Sequence, residues 1–153
     1  MPIFIFVIRF FVLLLSGLMA GMMIGFGLKP KTGSISDTAY IENLKVFIKA
    51  FNRKIRSLLL ISLLLTLNLG ILQMSILSVF IPLMVAVALL VCIAMITRSG
   101  NRPIEKQILR WPVNYMPDKW EYLIDRWWYF HNFRAIILLL VFMLVIFSIL
   151  SIS

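Results

Sequence analysis

The residues with the clearest potential for chemistry form one stripe ahead of the last apolar run of the sequence. Trp120, Trp127, His131 and Arg134 are spaced so that they share one face of a helix. The chain has a single histidine, and an imidazole suits general base catalysis because its unperturbed pKa, about 6.5, lies near working pH. Ionisable side chains facing the inside of a membrane bundle mark functional sites, so we expect His131 and Arg134 to face inward, into a shared cavity. The alternative is an interfacial tryptophan belt with Arg134 among headgroups.

A second group could orient the imidazole through its other ring nitrogen. Asp125 and Glu121 lie on the same predicted helix, and Glu105 on a preceding segment is an equally good candidate. Metal binding is not expected, because one histidine, one cysteine and no Glu-x-x-His pair leave mainly carboxylates as ligands. The sequence also contains no Gly-rich nucleotide loop. No cofactor is therefore predicted, and a haem with one axial histidine is the least favoured alternative.

The elements that position these residues are predicted to be membrane helices. Hydrophobic residues make up 62% of the 153 residues and charged residues 14%, which excludes a soluble globular domain. A crossing helix needs about 20 apolar residues, and a turn between 70 and 78 divides the long uncharged run. We predict an all-α fold, a single four-helix transmembrane bundle with cytoplasmic helical extensions. Its crossings are expected at about 10–28, 57–73, 77–97 and 135–152.

The distribution of basic residues predicts the orientation of the chain. Fourteen of the fifteen lysines and arginines lie in the first and third loops. By the positive-inside rule these loops are cytoplasmic and both termini are outside, in a bacterial inner membrane. The exception, Arg9, is expected to begin the first crossing and to extend outward to the interface. The net charge of +9 is thus attributed to membrane loops, and no nucleic acid partner is expected.

The first loop is predicted to be partly helical. After a turn-like stretch at 29–34, apolar residues recur every three or four positions from Ile41 to Leu58, which indicates an amphipathic helix running into the second crossing. Much of its other face is basic, so the helix could lie on anionic headgroups. The basic residues are Lys45, Lys49, Arg53 and Arg56.

The third loop carries start signals for two helices. Asn101 or the residue after it is expected to cap a short helix that Pro103 opens and that ends near Arg110. Asp118 and Glu121 have the spacing of a capping box, which predicts the start of a long final helix.

The first crossing carries three glycines on one face, Gly17, Gly21 and Gly25. This spacing normally allows a neighbouring helix to approach closely. The missing side chains also leave room for a flat ligand as the less favoured alternative.

The third loop and the last helix together resemble the signature of a known family. The matching positions are Asn101, Pro103, Ile104, Gln107, Ile108, Trp111, Trp120, Arg126, Trp127, His131 and Arg134. With this spacing the chain resembles the anthrone-oxygenase-like integral membrane proteins, formerly a domain of unknown function, over nearly its whole length. The segment 47–53 also resembles the pattern before that family's second crossing. Glu105 stands where the family often has asparagine, and Lys49 where it often has glutamine.

The resemblance implies an enzyme that oxidises anthrone-type polycyclic phenols to quinones with molecular oxygen and without metal or flavin. In that chemistry His131 would remove a C–H proton, and Arg134 would help to stabilise the resulting anion. The stacking of tryptophans on a flat substrate would add binding energy. The predicted catalytic residues are His131 and Arg134, and the predicted substrate-binding residues are Asn52, Asn101, Glu105, Trp111, Trp120 and Trp127.

A non-enzymatic binding or accessory protein is the rival interpretation, because a fold does not imply an activity. Transport is less favoured, since no ionisable residue is expected at mid-membrane, and Asn68 is the one amide side chain near the middle of the second crossing. The expected partners are the lipid bilayer and a lipophilic small molecule, and a homo-oligomer is left open.

Overall fold

The computed structural model describes residues 3–26, 36–112 and 117–151, apart from the side chains of residues 26 and 51–53. The described residues are helical with no strand, which confirms the all-α prediction. The turn-like stretch at 29–34 lies outside the described residues. The helices are α1 (Ile3–Phe26), α2 (Asp37–Leu72), α3 (Leu77–Ile96), α4 (Arg102–Ile108) and α5 (Trp120–Leu150), and a π-helical turn (Thr97–Asn101) joins α3 to α4.

Four helical stretches are long and apolar enough to cross a bilayer, so the chain is a multi-pass membrane protein. The stretches are Ile3–Gly25, Lys54–Leu72, Leu77–Ile108 and Trp120–Leu150. The break between the second and third falls inside the predicted turn region, because α2 ends at Leu72 and α3 begins at Leu77. Gly70 itself remains within α2.

The four long helices form a closed ring of neighbours. α5 packs against α3 and α1, and α2 packs against the same two helices from the other side. Leu90, Leu138 and Val141 form part of the central core, and Val12 and Val145 belong to a second core cluster that includes residues from both sides of the α2–α3 turn. Since lipid is as apolar as these side chains, close packing rather than water exclusion stabilises the ring.

α2 is one continuous helix that includes both the amphipathic segment and the second crossing, as predicted. The hydroxyl of Ser36 caps its first turn by accepting the backbone N–H of Ala39 at 3.4 Å. The interpretation of its first half as a surface helix on headgroups is wrong in one respect. Lys45 is buried, and its Nζ donates to Glu42 Oε1 at 2.7 Å and to the backbone carbonyl of Trp111 at 2.9 Å.

The predicted caps in the third loop are not formed. Asn101 has helical backbone angles and caps nothing, because the chain continues from α3 through the π-helical turn directly into α4. α4 begins at Arg102, with a proline in its first turn, and ends at Ile108. The cap position of α5 is Lys119 without a side-chain bond, so the capping box of Asp118 is also wrong.

α1 begins at Ile3, two turns ahead of the expected position near Phe10. Arg9 therefore lies inside the helix, where it is buried and donates from its NH2 group to Gln73 Oε1 at 2.5 Å. Arg9 does not begin the first crossing, in contrast to the prediction. Its side chain reaches the α2–α3 turn, which lies at the same end of the bundle as the start of α1. Its extension outward to the interface stays a prediction.

The glycine stripe of α1 is only partly used for packing inside the chain. A Cβ on Gly17 would lie 3.1 Å from the ring of Phe142 on α5, so this glycine does permit a close approach. A Cβ on Gly21 or Gly25 would meet no described atom within 4 Å. At these two positions no described helix of the chain makes the close approach that the spacing predicts.

Candidate functional site

A cluster of buried polar side chains lies where the π-helical turn, α4 and α5 meet. We call Asn101, Glu105, Trp127, His131 and Arg134 the polar cluster. Each of the five side chains is at most 5% exposed. The turn contributes the asparagine, α4 the glutamate, and α5 the other three from positions spaced three and four apart. The prediction that His131 and Arg134 face inward is confirmed by their burial.

His131 is held by aromatic rings and by the backbone of α1. Its ring is stacked on that of Trp127, with 5.1 Å between centroids and 21° between planes. The ring of Trp128 contacts it edge to face, with 5.4 Å between centroids. Its Nε2 lies 3.2 Å from the carbonyl oxygen of Met23. Because a carbonyl only accepts, Nε2 carries the hydrogen in this bond, and the lone pair of the neutral ring is on Nδ1. The tautomer so fixed makes Nδ1 the basic atom.

Within the described part of the chain no carboxylate holds His131 through this nitrogen, in contrast to the prediction. Asp125 and Glu121 are exposed on the outer face of α5. Glu105 is buried, but its Oε1 accepts the indole N–H of Trp127 at 3.3 Å. The glutamate therefore positions the tryptophan on which His131 stacks.

Asn101 joins the π-helical turn to α5. Its Nδ2 donates to the backbone carbonyl of Trp127 at 3.4 Å. Its Oδ1 is buried and has no partner within the described part of the chain. Since buried polar atoms are normally satisfied, this acceptor is available to a hydrogen-bond donor from a bound molecule.

Arg134 has a buried hydrogen-bond donor without a partner, whereas Asn101 has an acceptor. Its NH1 group donates to Thr97 Oγ1 at 3.1 Å, and Thr97 in turn donates to the carbonyl of Ile93 at 2.7 Å. Its Nε is buried and, among the residues described, has no acceptor. One unpaired donor and one unpaired acceptor thus occur in the same closed cluster.

The π-helical turn is a part of this region that the sequence pattern did not predict. It places both Thr97 and Asn101 on the buried side. A Cβ on Gly100 would lie 3.0 Å from the ring of Phe130, so only glycine lets the turn pack this closely on α5. π-helical turns occur often at functional sites. The glycine followed by Asn101 and Pro103 is the only sequence signal for it.

The remaining predicted site residues are less closely associated with the cluster. Trp111 and Trp120 are half-buried and pack on the apolar core between α2, α4 and α5, to which Trp127 also belongs. Their indole groups take no part in the hydrogen bonds of the polar cluster given above. The side chain of Asn52 lies outside the described residues. The half-buried Tyr40, which the sequence analysis did not select, accepts the indole N–H of Trp128 at 2.7 Å.

Among the cavities lined by described residues are three to which neither His131 nor Arg134 contributes, so none of these three is the shared cavity expected beside the two side chains. The largest of the three, about 740 Å³, is an apolar groove along the glycine face of α1 that Phe142 of α5 also lines. A second, about 250 Å³, lies between α2 and α3. The third, about 10 Å³, is bordered by Met23, whose carbonyl contacts His131.

Comparison of the chain with family models, with curated proteins and with solved structures finds no match. The resemblance to the anthrone-oxygenase-like proteins stays a prediction.

Proposed function

We propose that this chain is a cofactor-independent oxygenase that acts on a lipophilic, anthrone-like aromatic substrate at the polar cluster. The observation that carries the proposal is the position of Nδ1 of His131, a basic nitrogen of fixed tautomer, in a cluster that also holds an unpaired donor and an unpaired acceptor. A base with a nearby donor is the minimum requirement for making and stabilising an enolate.

The reaction balances with oxygen as the only co-substrate. Nδ1 of His131 takes a proton from the benzylic CH2 group, and the carbanion is stabilised as an enolate by the guanidinium of Arg134. Two electrons pass from this carbon to O2 as a C–O bond forms, and the proton returns from the imidazolium to give a hydroperoxide. Loss of water leaves a C=O group, so CH2 and O2 become C=O and H2O.

The surroundings of the cluster favour a flat, apolar substrate. The groove on the glycine face of α1 has a volume of about 740 Å³ and is almost entirely apolar, within the usual range of about 300–1,000 Å³ for small-molecule sites. The lining of the groove includes Met22 and Gly25, which flank Met23 in the sequence. The backbone carbonyl of Met23 contacts the imidazole of His131. In this proposal a substrate dissolved in the bilayer approaches the cluster from the side of this groove.

The proposal includes the orientation of the chain in the membrane. Fourteen of the fifteen basic residues lie between 29 and 56 or between 98 and 134, which supports a bacterial inner-membrane protein with both of these segments toward the cytoplasm and both termini outside. The polar cluster then lies at the cytoplasmic mouth of the bundle.

The test is oxygen consumption by the purified full chain in detergent with anthrone as substrate. Replacement of the proposed base in His131→Ala is expected to lower the rate by about 10²–10⁴-fold. Asn132→Ala is the matched control, because Asn132 is the next residue on α5 and is exposed. Wild-type protein that consumes no oxygen, or a histidine variant as active as the control, would refute the proposal.

A binding or accessory protein is the second candidate, and the tight closure of the cluster favours it. Trp127 and His131 are each only 2% exposed, as expected for side chains whose role is to pack helices together. If flat phenols quench the tryptophan fluorescence of wild-type protein but no oxygen is consumed, this second function replaces the first.

A further inference from the structure

A basic groove adjoins the π-helical turn, with residues of α2, α3, the turn and α4 in its lining. Its rim carries Arg56 of α2, Arg98 of the π-helical turn and Arg102 of α4, and all three are exposed. The groove has a volume of about 250 Å³. Three separate elements thus bring positive charge to one point of the surface.

The described residues that line the groove include no aspartate or glutamate. Arginine presents several N–H donors in a planar fork, which matches the oxygens of a phosphate group. The rim is therefore complementary to a phosphate.

The floor of the same groove is apolar. Leu60 and Leu63 of α2 and Ala94 of α3 line it, and these residues belong to spans apolar enough to cross a bilayer. The rim consequently lies where the uncharged spans end and the basic loops begin. A free phosphate would use the arginines alone, whereas a phospholipid would use both the rim and the floor.

We propose that this groove is a binding site for one anionic phospholipid, with its headgroup phosphate on the three arginines and an acyl chain along the leucines and Ala94. Basic pockets between membrane helices bind anionic lipids in this way. The site also adjoins the polar cluster, because Thr97 lines the groove and its hydroxyl accepts the hydrogen bond of Arg134. The proposal does not depend on the oxygenase function.

The experiment measures which lipids stay bound to the full chain when it is extracted from nanodiscs of mixed phosphatidylglycerol and phosphatidylcholine, with native mass spectrometry as the readout. Wild-type protein is expected to retain phosphatidylglycerol in excess of its share in the nanodisc. Each basic residue near an anionic lipid contributes about a fivefold change in binding, so R56Q/R98Q/R102Q should weaken retention by roughly a hundredfold.

The matched control is K106Q/R110Q/K119Q, which removes the same charge from exposed positions in the third loop. It should retain the lipid, and equal loss in both triple variants would show only a general charge effect and would overturn the proposal.

Ala94→Phe tests the floor separately, since it fills the groove and leaves the arginines in place. It should also lose the lipid, and it keeps the proposal testable if the arginine triple variant fails to fold. Retention unchanged by Ala94→Phe, or displacement of the lipid by inorganic phosphate alone, would overturn the assignment to a phospholipid.

Discussion

Trp127 is the residue on which the polar cluster depends. Its indole N–H donates to Glu105, its backbone carbonyl accepts from Asn101, and its ring stacks on His131. The ring of Phe47 from α2 meets it edge to face at 6.3 Å. One side chain therefore connects α2, α4 and α5 around the imidazole, and a role as an interfacial anchor does not account for these contacts.

Glu105 is buried beside Trp127 and also attracts the charge of Arg134. Glu105→Leu leaves the indole N–H without this acceptor and is expected to reduce the free energy of unfolding by about 1–3 kcal/mol. Glu105→Gln keeps an acceptor oxygen and should cost less. Thermal unfolding of the purified protein, followed by tryptophan fluorescence, measures both.

The control for this comparison is the exposed Glu121 on α5. Glu121→Leu and Glu121→Gln should leave the unfolding temperature nearly unchanged. A Glu105→Leu variant as stable as Glu121→Leu would mean that the contact with Trp127 contributes no stability.

At the scale of elements, the long helices could be predicted because their signal is repeated over many residues. Continuity of α2 through the amphipathic segment and the second crossing followed from apolar residues at spacings of three and four between Ile41 and Leu58. The inward direction of His131 and Arg134 followed from their place on one stripe of α5.

Local features were not predictable in the same way, because they depend on contacts between distant segments. The cap expected at Asn101 is absent since α3 continues through a π-helical turn, and one such turn has no periodic pattern in the sequence. Arg9 is buried because Gln73, sixty-four positions away, lies beside it. The partner of His131 is a backbone carbonyl, which no side-chain pattern indicates.

Gly100 tests whether the π-helical turn needs its close packing on α5. The Cβ of Gly100→Ala would lie 3.0 Å from the ring of Phe130, so the ring must move, and a loss of about 1–3 kcal/mol in unfolding free energy is expected. The measurement is thermal or denaturant unfolding in detergent.

Gly21→Ala is the matched variant, because a Cβ there meets nothing within 4 Å. It should be neutral or stabilising by about 0.5–1 kcal/mol, the usual preference for alanine over glycine inside a helix. If both variants unfold at the same temperature, the contact between Gly100 and Phe130 does not constrain the fold.

At the scale of the whole molecule, the polar cluster and the arginine groove lie at the same end of the bundle. The polar cluster and the arginine groove both adjoin the π-helical turn, where the third apolar span approaches the third loop. The other end is stabilised by the contact of Arg9 with the α2–α3 turn and has an apolar core. A substrate or lipid would thus meet the protein at one leaflet.

The proposed orientation can be tested by labelling, because the chain has a single cysteine, Cys92, at a half-buried position in α3. In a Cys92→Ala background, Ser75→Cys marks the α2–α3 turn and Lys106→Cys marks α4, and both positions are exposed. A membrane-impermeant maleimide added to intact spheroplasts should label Ser75→Cys. Lys106→Cys should react only after permeabilisation, since the loops rich in lysine and arginine stay in the cytoplasm. The parent without cysteine controls for background, and the reverse labelling pattern would place the polar cluster and the arginine groove at the outer leaflet.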